Sequence, residues 1–210
     1  MSGTILTLAN GRGIDLLGPK ASDIDFAVVA EHLAKENRYN GATPGQVYSV
    51  AEHSVRGERA ALAATGDEEL AAYFLIHDAH EAFLKDDTTP KKRAIGALAF
   101  EAFGVLASTI TQAFDLLTDR FDEAIHEAAG LAWPPTKEMQ AQIKYWDLTM
   151  FVTEWRDLMD NQDHPHWGPY ADIVPLSRTI HPWFGWSAAR NSFLSDCHRL
   201  LPALRTGVAR

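Results

Sequence analysis

His77, Asp78 and Glu81 lie inside an otherwise apolar stretch, residues 74–84, that is predicted to be helical. On a helix His77 and Glu81 share a face because they are four residues apart, and Asp78 lies about 100° around the axis from His77. Burying such groups without partners is costly, and a divalent cation offsets the cost because imidazole and carboxylate are its natural ligands. The stretch therefore predicts either a metal site or a hydrogen-bonded polar patch.

Two further candidates lie on predicted helices elsewhere in the chain. His53 falls on a small apolar stripe between Val50 and Gly57, where it is either a core histidine or a ligand. Asp147 lies in the middle of an apolar stripe on a later helix, where a carboxylate needs a partner such as Arg, Lys or a metal. Glu154, about two turns further along the same stripe, raises the same question.

Composition narrows the functions that these residues can serve. The 210 residues carry 19 Lys and Arg against 28 Asp and Glu, a net charge of −9, which disfavours binding to nucleic-acid polymers or anionic membranes but leaves room for a small anionic ligand. The single cysteine, Cys197, excludes an intrachain disulfide and a cysteine-based zinc site. We see no signal peptide, membrane-spanning stretch or glycine-rich phosphate loop, and we expect a soluble, cytoplasmic protein.

The elements that must position these side chains are mostly helical. Residues 1–19 hold two short apolar runs around Asn10-Gly11, which predicts a small β-hairpin. Periodicity and caps predict helices after Asp23, over 47–64, from 65 toward 84, and over 94–114, 118–129, 136–159 and 187–201. We therefore predict an all-α fold, a compact array of about six to eight helices in a single domain over 1–210, with 161–186 as an ordered loop.

In chain order His53, His77-Asp78 and Asp147 form the pattern H…HD…D. Because of this pattern, the chain resembles the HD-domain metal-dependent phosphohydrolases over about half its length. It is most similar to the branch that includes the YfbR-like 5′-deoxynucleotidases and a phage dATP triphosphohydrolase.

Additional motifs carry that closer resemblance. The branch continues the dyad as HD-x-x-E, an Asp and T-P-x-K, which here are His77-Asp78-Ala79-His80-Glu81, Asp86 and Thr89-Pro90-Lys91-Lys92. An Arg followed by an aromatic residue, fifteen residues before the first metal His, also recurs there and is Arg38-Tyr39 here.

The resemblance implies that His53, His77, Asp78 and Asp147 hold one divalent ion, which would be Mn, Co, Ni, Fe, Zn or Mg. Such an ion lowers the pKa of a water and neutralises charge on a phosphoryl group. Glu81 is implied as the catalytic acid or base that orients the attacking water. The alternative is that Glu81 only supports a metal-bound histidine.

Asp86 can reach the same site only from a loop, because nine residues of continuous helix would place it on the far side from His77. The helix is therefore expected to end near Lys85. By resemblance Asp86 contacts the sugar or assists catalysis. Asp87 is the alternative if the register differs by one, and an Asx turn is the purely structural interpretation.

The remaining candidates concern the substrate. Arg38 is a candidate phosphate clamp because its planar fork can hold two oxygens, and Lys92 adds charge. Tyr39 either stacks on a base or sugar or packs its loop, and the deoxynucleotidase relatives have Trp there. His80 has no family counterpart: it lines the pocket, bonds a ligand residue or faces solvent.

We therefore predict a hydrolase that acts on a small anionic nucleotide, in the first place a deoxynucleoside 5′-monophosphate giving nucleoside and phosphate. The alternatives are hydrolysis of a deoxynucleoside triphosphate to triphosphate and a nucleotide-sensing domain without turnover. A phosphodiester or non-nucleotide substrate stays open, and a homodimer is compatible with the sequence.

Overall fold

The computed structural model describes residues 3–159 and 169–205, and residues 161–168 of the predicted ordered loop lie outside them. The described chain is mainly helical and contains seven helices of at least nine residues, in agreement with the predicted all-α class. These are α1 (Phe26–Lys35), α2 (Val50–Thr65), α3 (Glu68–Ile76), α5 (Thr89–Phe103), α6 (Ala107–Ala129), α7 (Lys137–Leu158) and α8 (Trp186–Leu200); α4 (Glu81–Leu84) and α9 (Pro202–Arg205) are single turns.

The predicted N-terminal hairpin is confirmed. Strands β1 (Ile5–Thr7) and β2 (Gly13–Asp15) pair antiparallel, and Gly11 supplies the positive φ of 78° that the turn requires. Leu8 and Ile14 point into the main core, so the hairpin is packed on the helices rather than detached. His32 ties the two parts together, because its ring nitrogens contact the backbone of Ala9 and Ala82.

Helices α2 and α3 form the central pair, and their close approach depends on one glycine. A Cβ at Gly57 would lie 2.2 Å from Cε1 of Phe74, so any larger residue would push the helices apart. Ser49 caps α2 through the amide of Glu52, and Glu52 reaches back toward the Ser49 amide in a capping box. This pairing sets His53 of α2 and His77, just after α3, with ring centroids 5.3 Å apart.

Several predicted boundaries are corrected. The helix predicted from 65 toward 84 ends as α3 at Ile76, and residues 77–80 form tight turns before α4. The helix predicted over 94–114 is divided at Gly104, whose φ of 67° ends α5, and its second part continues without a break to 129. Pro90 lies in the first turn of α5, where a helix has no need of the missing N–H.

None of the helices in the described ranges is both long enough and apolar enough to cross a membrane.

Candidate metal centre

His53 is fully buried, and its orientation is fixed by an acidic partner. Its Nδ1 lies 2.6 Å from Oε1 of Glu154. Since an ionised carboxylate only accepts hydrogen bonds, Nδ1 carries the proton and Nε2 presents a lone pair. That Nε2 is buried and makes no hydrogen bond with any described residue. A buried imidazole held in this tautomer is suited to ligating a metal.

His77 is held in the same tautomer by a backbone group. Its Nδ1 lies 2.7 Å from the carbonyl oxygen of Phe74, which can only accept. Its Nε2 is also buried without a hydrogen bond among the described residues. Burial lowers the pKa of His77 despite the opposing charge of Asp78, which favours the neutral imidazole that a metal requires.

Two carboxylates face these lone pairs. Oδ2 of Asp78 lies 3.3 Å from Nε2 of His77 and 3.8 Å from Nε2 of His53, and Oδ1 of Asp147 lies 3.6 Å from Nε2 of His53. Ligand atoms of His53, His77 and Asp147 all lie within 4.8 Å of one another and could hold a metal ion. With no proton between them these atoms repel, and a cation removes the repulsion. Three of the four predicted ligand residues therefore form one group whose chemistry fits a divalent cation. Asp78 borders that group through its 3.3 Å and 3.8 Å contacts and belongs to a second such group with His80 and Glu81.

The break between α3 and α4 helps to aim these groups. The backbone bonds at Ala79, Glu81 and Ala82 run to the carbonyls three residues earlier, as in a 3₁₀ turn. Such a turn advances about 120° per residue instead of 100°, so it re-aims successive side chains. The prediction that His77 and Glu81 share a face of one regular helix is therefore wrong in its geometry, although both residues stay at the site.

Glu154 is a residue of the candidate site to which the sequence interpretation gave no role. It lies on α7, fully buried, and accepts from Nδ1 of His53, from Nε of Arg38 at 3.1 Å and from the Tyr39 hydroxyl at 2.7 Å. Burial opposes its ionisation, but the charges of Arg38 and His53 and these hydrogen bonds lower its pKa to about 2. The available signal was its spacing of seven residues from Asp147 on one apolar stripe.

Arg38 and Tyr39 reach the centre from a short turn, Arg38–Gly41, in which Tyr39 and Asn40 have positive φ angles. Besides Glu154, Arg38 contacts Oδ2 of Asp78 through Nη1 at 3.4 Å, so the cation lies against a predicted ligand. Tyr39 has a φ of 58°, a left-handed conformation that costs a bulky residue about 1–2 kcal/mol. Its ring packs toward Phe151 and Trp155 and its hydroxyl is bound to Glu154. The structure therefore places Tyr39 in the packed shell around Glu154.

Asp78 stays ionised in these surroundings. Burial alone would raise its pKa, but His77, His53 and Arg38 together hold the pKa well below its usual value. Asp147 is more exposed and pairs with Nζ of Lys144 at 2.8 Å. The two carboxylates therefore have different cationic partners, Arg38 for Asp78 and Lys144 for Asp147.

Glu81 and Asp86 lie on the other side of Asp78. The Oε2 atom of Glu81 is buried and makes no hydrogen bond within the described chain. Burial and the neighbouring charges of Asp78 and Asp86 raise the pKa of Glu81. Helix α4 ends at Leu84, so Asp86 lies in a loop as predicted, and burial raises its pKa while Arg38 opposes the rise.

Lys92 and His80 line a cavity of about 210 Å³ that also includes Glu81. The Nδ1 atom of His80 lies 2.9 Å from Oδ1 of Asp122 on α6, which answers the open question of its partner. Lys92 extends from α5 with its Nζ 6.0 Å from the ring centroid of Phe114. The predicted substrate lysine thus borders the Glu81 side of the site and not the side of Asp147.

Comparison with known proteins places the chain among uncharacterised relatives. The chain is 31% identical over 159 residues to the uncharacterized protein YfdR of Escherichia coli K12, a match that covers 76% of this chain and 74% of YfdR. The chain belongs to the same family as YfdR. An uncharacterized protein of Rhodobacter capsulatus is 40% identical over 129 residues, which are 59% of this chain and 57% of that protein. No family model matches the chain.

Proposed function

We propose that this protein is an HD-type metal-dependent phosphohydrolase that removes phosphate from a small nucleotide, in the first place a deoxynucleoside 5′-monophosphate. His53, His77, Asp78 and Asp147 would hold one divalent ion, of Mn, Co, Ni, Fe, Zn or Mg. When bound, such an ion supplies charge neutralisation at phosphorus and a more acidic water.

One observation carries the proposal. Two buried imidazoles are each locked with Nδ1 protonated, and their unpaired Nε2 atoms face carboxylate oxygens at 3.3–3.8 Å. Imidazole lone pairs and ionised carboxylate oxygens at these distances repel one another, and a bound cation would remove that repulsion. A core histidine with an ordinary hydrogen-bonding role would have its second nitrogen paired.

The other residues have roles that follow from their positions. Arg38 lies against Asp78 and is held by Glu154, so its guanidinium is oriented to take phosphate oxygens beside the ligand cluster. Glu81 has an unpaired, buried carboxylate oxygen next to Asp78 and is placed to orient a water and move its proton. Asp86 stands at the loop edge of the same region and would contact the sugar.

A triphosphate substrate is the second candidate, and the cavity beside Glu81 favours it. Lys85 and Lys92 line this space of about 210 Å³ together with Glu81 and Asp87. Because Lys85 is paired with Glu36 at 2.9 Å, Lys92 is the lysine that a further phosphate group would meet there. A nucleotide-sensing domain without turnover is the third. Products distinguish the first two, since one releases phosphate and the other triphosphate.

The test is a nucleotide screen with purified protein loaded with Mn or Co. We expect phosphate release from deoxynucleoside monophosphates, loss of both bound metal and activity in Asp78→Asn, and a loss of about 10²- to 10⁴-fold in kcat with metal retained in Glu81→Gln. Metal content is measured by mass spectrometry on each variant.

Lys144→Gln serves as the control for a charge change near the centre, since Lys144 lies largely exposed beside Asp147. It should keep the metal. Full activity in Asp78→Asn would refute the proposed site. If the metal-loaded wild type binds nucleotide tightly but forms no product, the result would refute the hydrolase and support the nucleotide-sensing domain.

A further inference from the structure

A second cavity opens on the opposite side of the ligand cluster. It has a volume of about 440 Å³ and shares two of the proposed metal ligands, His77 and Asp147, with the centre. Its size falls in the range typical of small-molecule sites. A substrate whose phosphate lies at the metal ligands can therefore extend into this space.

The walls of this cavity are mainly aromatic and apolar. The aromatic and apolar part of the walls includes Tyr73, Trp133, Pro134 and Ile143, from α3, the α6–α7 connection and α7. Flat apolar walls suit the face of an aromatic ring, and stacking on Trp or Tyr accepts any base because every base has a π-face. The wall chemistry thus favours a planar ring as the occupant.

Trp133 is held firmly on this wall. The ring of His126 lies between Trp133 and Tyr73, with centroid distances of 4.6 Å and 5.6 Å. His126 is fixed by the carbonyl oxygen of Asp122 at 2.7 Å, and the Tyr73 hydroxyl donates to the carbonyl of Ala132 at 3.0 Å. A ring that is already ordered loses little freedom when a ligand stacks on it.

The charges around the cavity exclude the phosphate as its occupant. Asp119, Asp122 and Asp147 line it, and its cation Lys144 is already paired with Asp147. An anion would meet net negative charge there, whereas Arg38 and Lys92 lie on the other side of the ligand cluster. The phosphate and the ring of one substrate therefore separate toward opposite sides of the centre.

We infer that this cavity is the nucleobase subsite and that Trp133 is its stacking surface. The inference rests on the proposed function, because it assumes a nucleotide whose phosphate lies at the metal ligands. It also gives base contact to a residue other than Tyr39, whose hydroxyl is bound to Glu154.

The experiment measures binding of 2′-deoxyadenosine, which has the base and sugar but no phosphate, by calorimetry on the Mn-loaded full chain. Trp133→Ala should weaken binding about tenfold or more, and Trp133→Phe should lose less because it keeps a π-face. Trp186→Ala is the matched control, since this tryptophan is 47% exposed at the start of α8. It should change the affinity by no more than about twofold.

A kinetic comparison separates stacking from a structural effect. Trp133→Ala should raise KM for dAMP by about tenfold while leaving turnover of 2-deoxyribose 5-phosphate, which lacks the base, unchanged. Equal binding of 2′-deoxyadenosine by Trp133→Ala and wild type would overturn the subsite. An equal loss on both substrates would also overturn it, since Trp133 would then only support the fold.

The same measurements keep the two proposals apart. If no nucleotide is hydrolysed but 2′-deoxyadenosine binds in a Trp133-dependent way, the result supports the nucleobase subsite and refutes the hydrolase function. If dAMP is hydrolysed but neither Trp133 variant differs from wild type, the hydrolase stands and the subsite is overturned.

Discussion

Helix α2 contributes to two buried charged clusters. In each of them a buried glutamate has a shifted pKa, but the two pKa values are shifted in opposite directions. On one side His53 meets Glu154 of α7, with Arg38 and Tyr39 completing the cluster. On another side Glu58 meets Asp196 and Arg199 of α8. Both glutamates are fully buried. Yet the pKa of Glu154 is lowered to about 2, whereas burial raises the pKa of Glu58 to about 8.

The difference lies in the partners and not in the burial. Glu154 accepts from three side chains, two of which are an arginine and a histidine. Glu58 accepts from Arg199 at 2.8 Å, but its Oε2 is unpaired among the described side chains and Asp196 adds a second carboxylate beside it. A buried carboxylate stays ionised only where donors replace the water it has lost. The first cluster therefore orients the imidazole of His53, and the second joins α2 to α8.

The largest effect is expected from Glu154→Ala. It leaves Arg38 as a buried cation without its main partner, which costs about 3–5 kcal/mol of unfolding free energy. It also frees Nδ1 of His53, so metal affinity should fall about 10- to 100-fold. Urea unfolding measures the loss of unfolding free energy, and metal titration measures the loss of metal affinity. Glu154→Gln, which keeps the side-chain volume, is compared with Glu154→Ala to separate the two losses. An unchanged metal affinity in both variants would remove Glu154 from the centre.

A second effect, which appears as a change in the pH dependence of stability, is expected from Glu58→Gln. Between the unfolded pKa near 4.5 and the folded pKa of about 8, the folded chain holds one more proton at Glu58. Stability from this group is therefore full below pH 4.5 and is lost as the pH rises toward 8, by at most about 1.4 kcal/mol per pH unit. Glutamine cannot ionise and should flatten this slope.

The measurement is unfolding free energy from pH 5 to 8.5 for wild type and Glu58→Gln. Glu69→Gln, an exposed change on α3, controls for the loss of one carboxylate. If wild type and Glu58→Gln keep parallel profiles, the contrast between the two clusters fails, since Glu58 would then be ionised like Glu154.

The smallest effect is expected from Tyr39→Phe. It removes the one hydrogen bond from this hydroxyl to Glu154, at 2.7 Å, and keeps the ring contacts with Phe151 and Trp155. The unfolding free energy should fall by about 0.5–1.5 kcal/mol, with KM for dAMP unchanged. A large rise in KM with unchanged stability would instead restore Tyr39 as a substrate contact.

Some of the site could be predicted because it depends on local chemistry. The His-Asp pair, the lone His53 and Asp147 were recognisable as ionisable residues on apolar stripes, and the structure brings all four together. Asp86 was placed in a loop because nine residues exceed what one helix face allows. These inferences need only the period of a helix and the cost of an unpaired buried charge.

Other features depended on contacts between distant segments. The turn at 77–80 interrupts a stretch with strong helical periodicity. Trp133 lines the same cavity as His77 because of the way α6 leads into α7. Tyr39 was a candidate for stacking until Glu154, 115 residues away, proved to hold its hydroxyl.

The sequence by itself determined the all-α class, the N-terminal hairpin and the identity of the residues able to hold a metal, since propensity, turn chemistry and ligand type are properties of short segments. Only the tertiary structure decided which nitrogen of each imidazole faces the carboxylates, that Glu154 joins three side chains, and which cavities adjoin the cluster. Those features are set by hydrogen bonds and packing between helices far apart in the chain, where Gly57 against Phe74 fixes how closely α2 and α3 can meet.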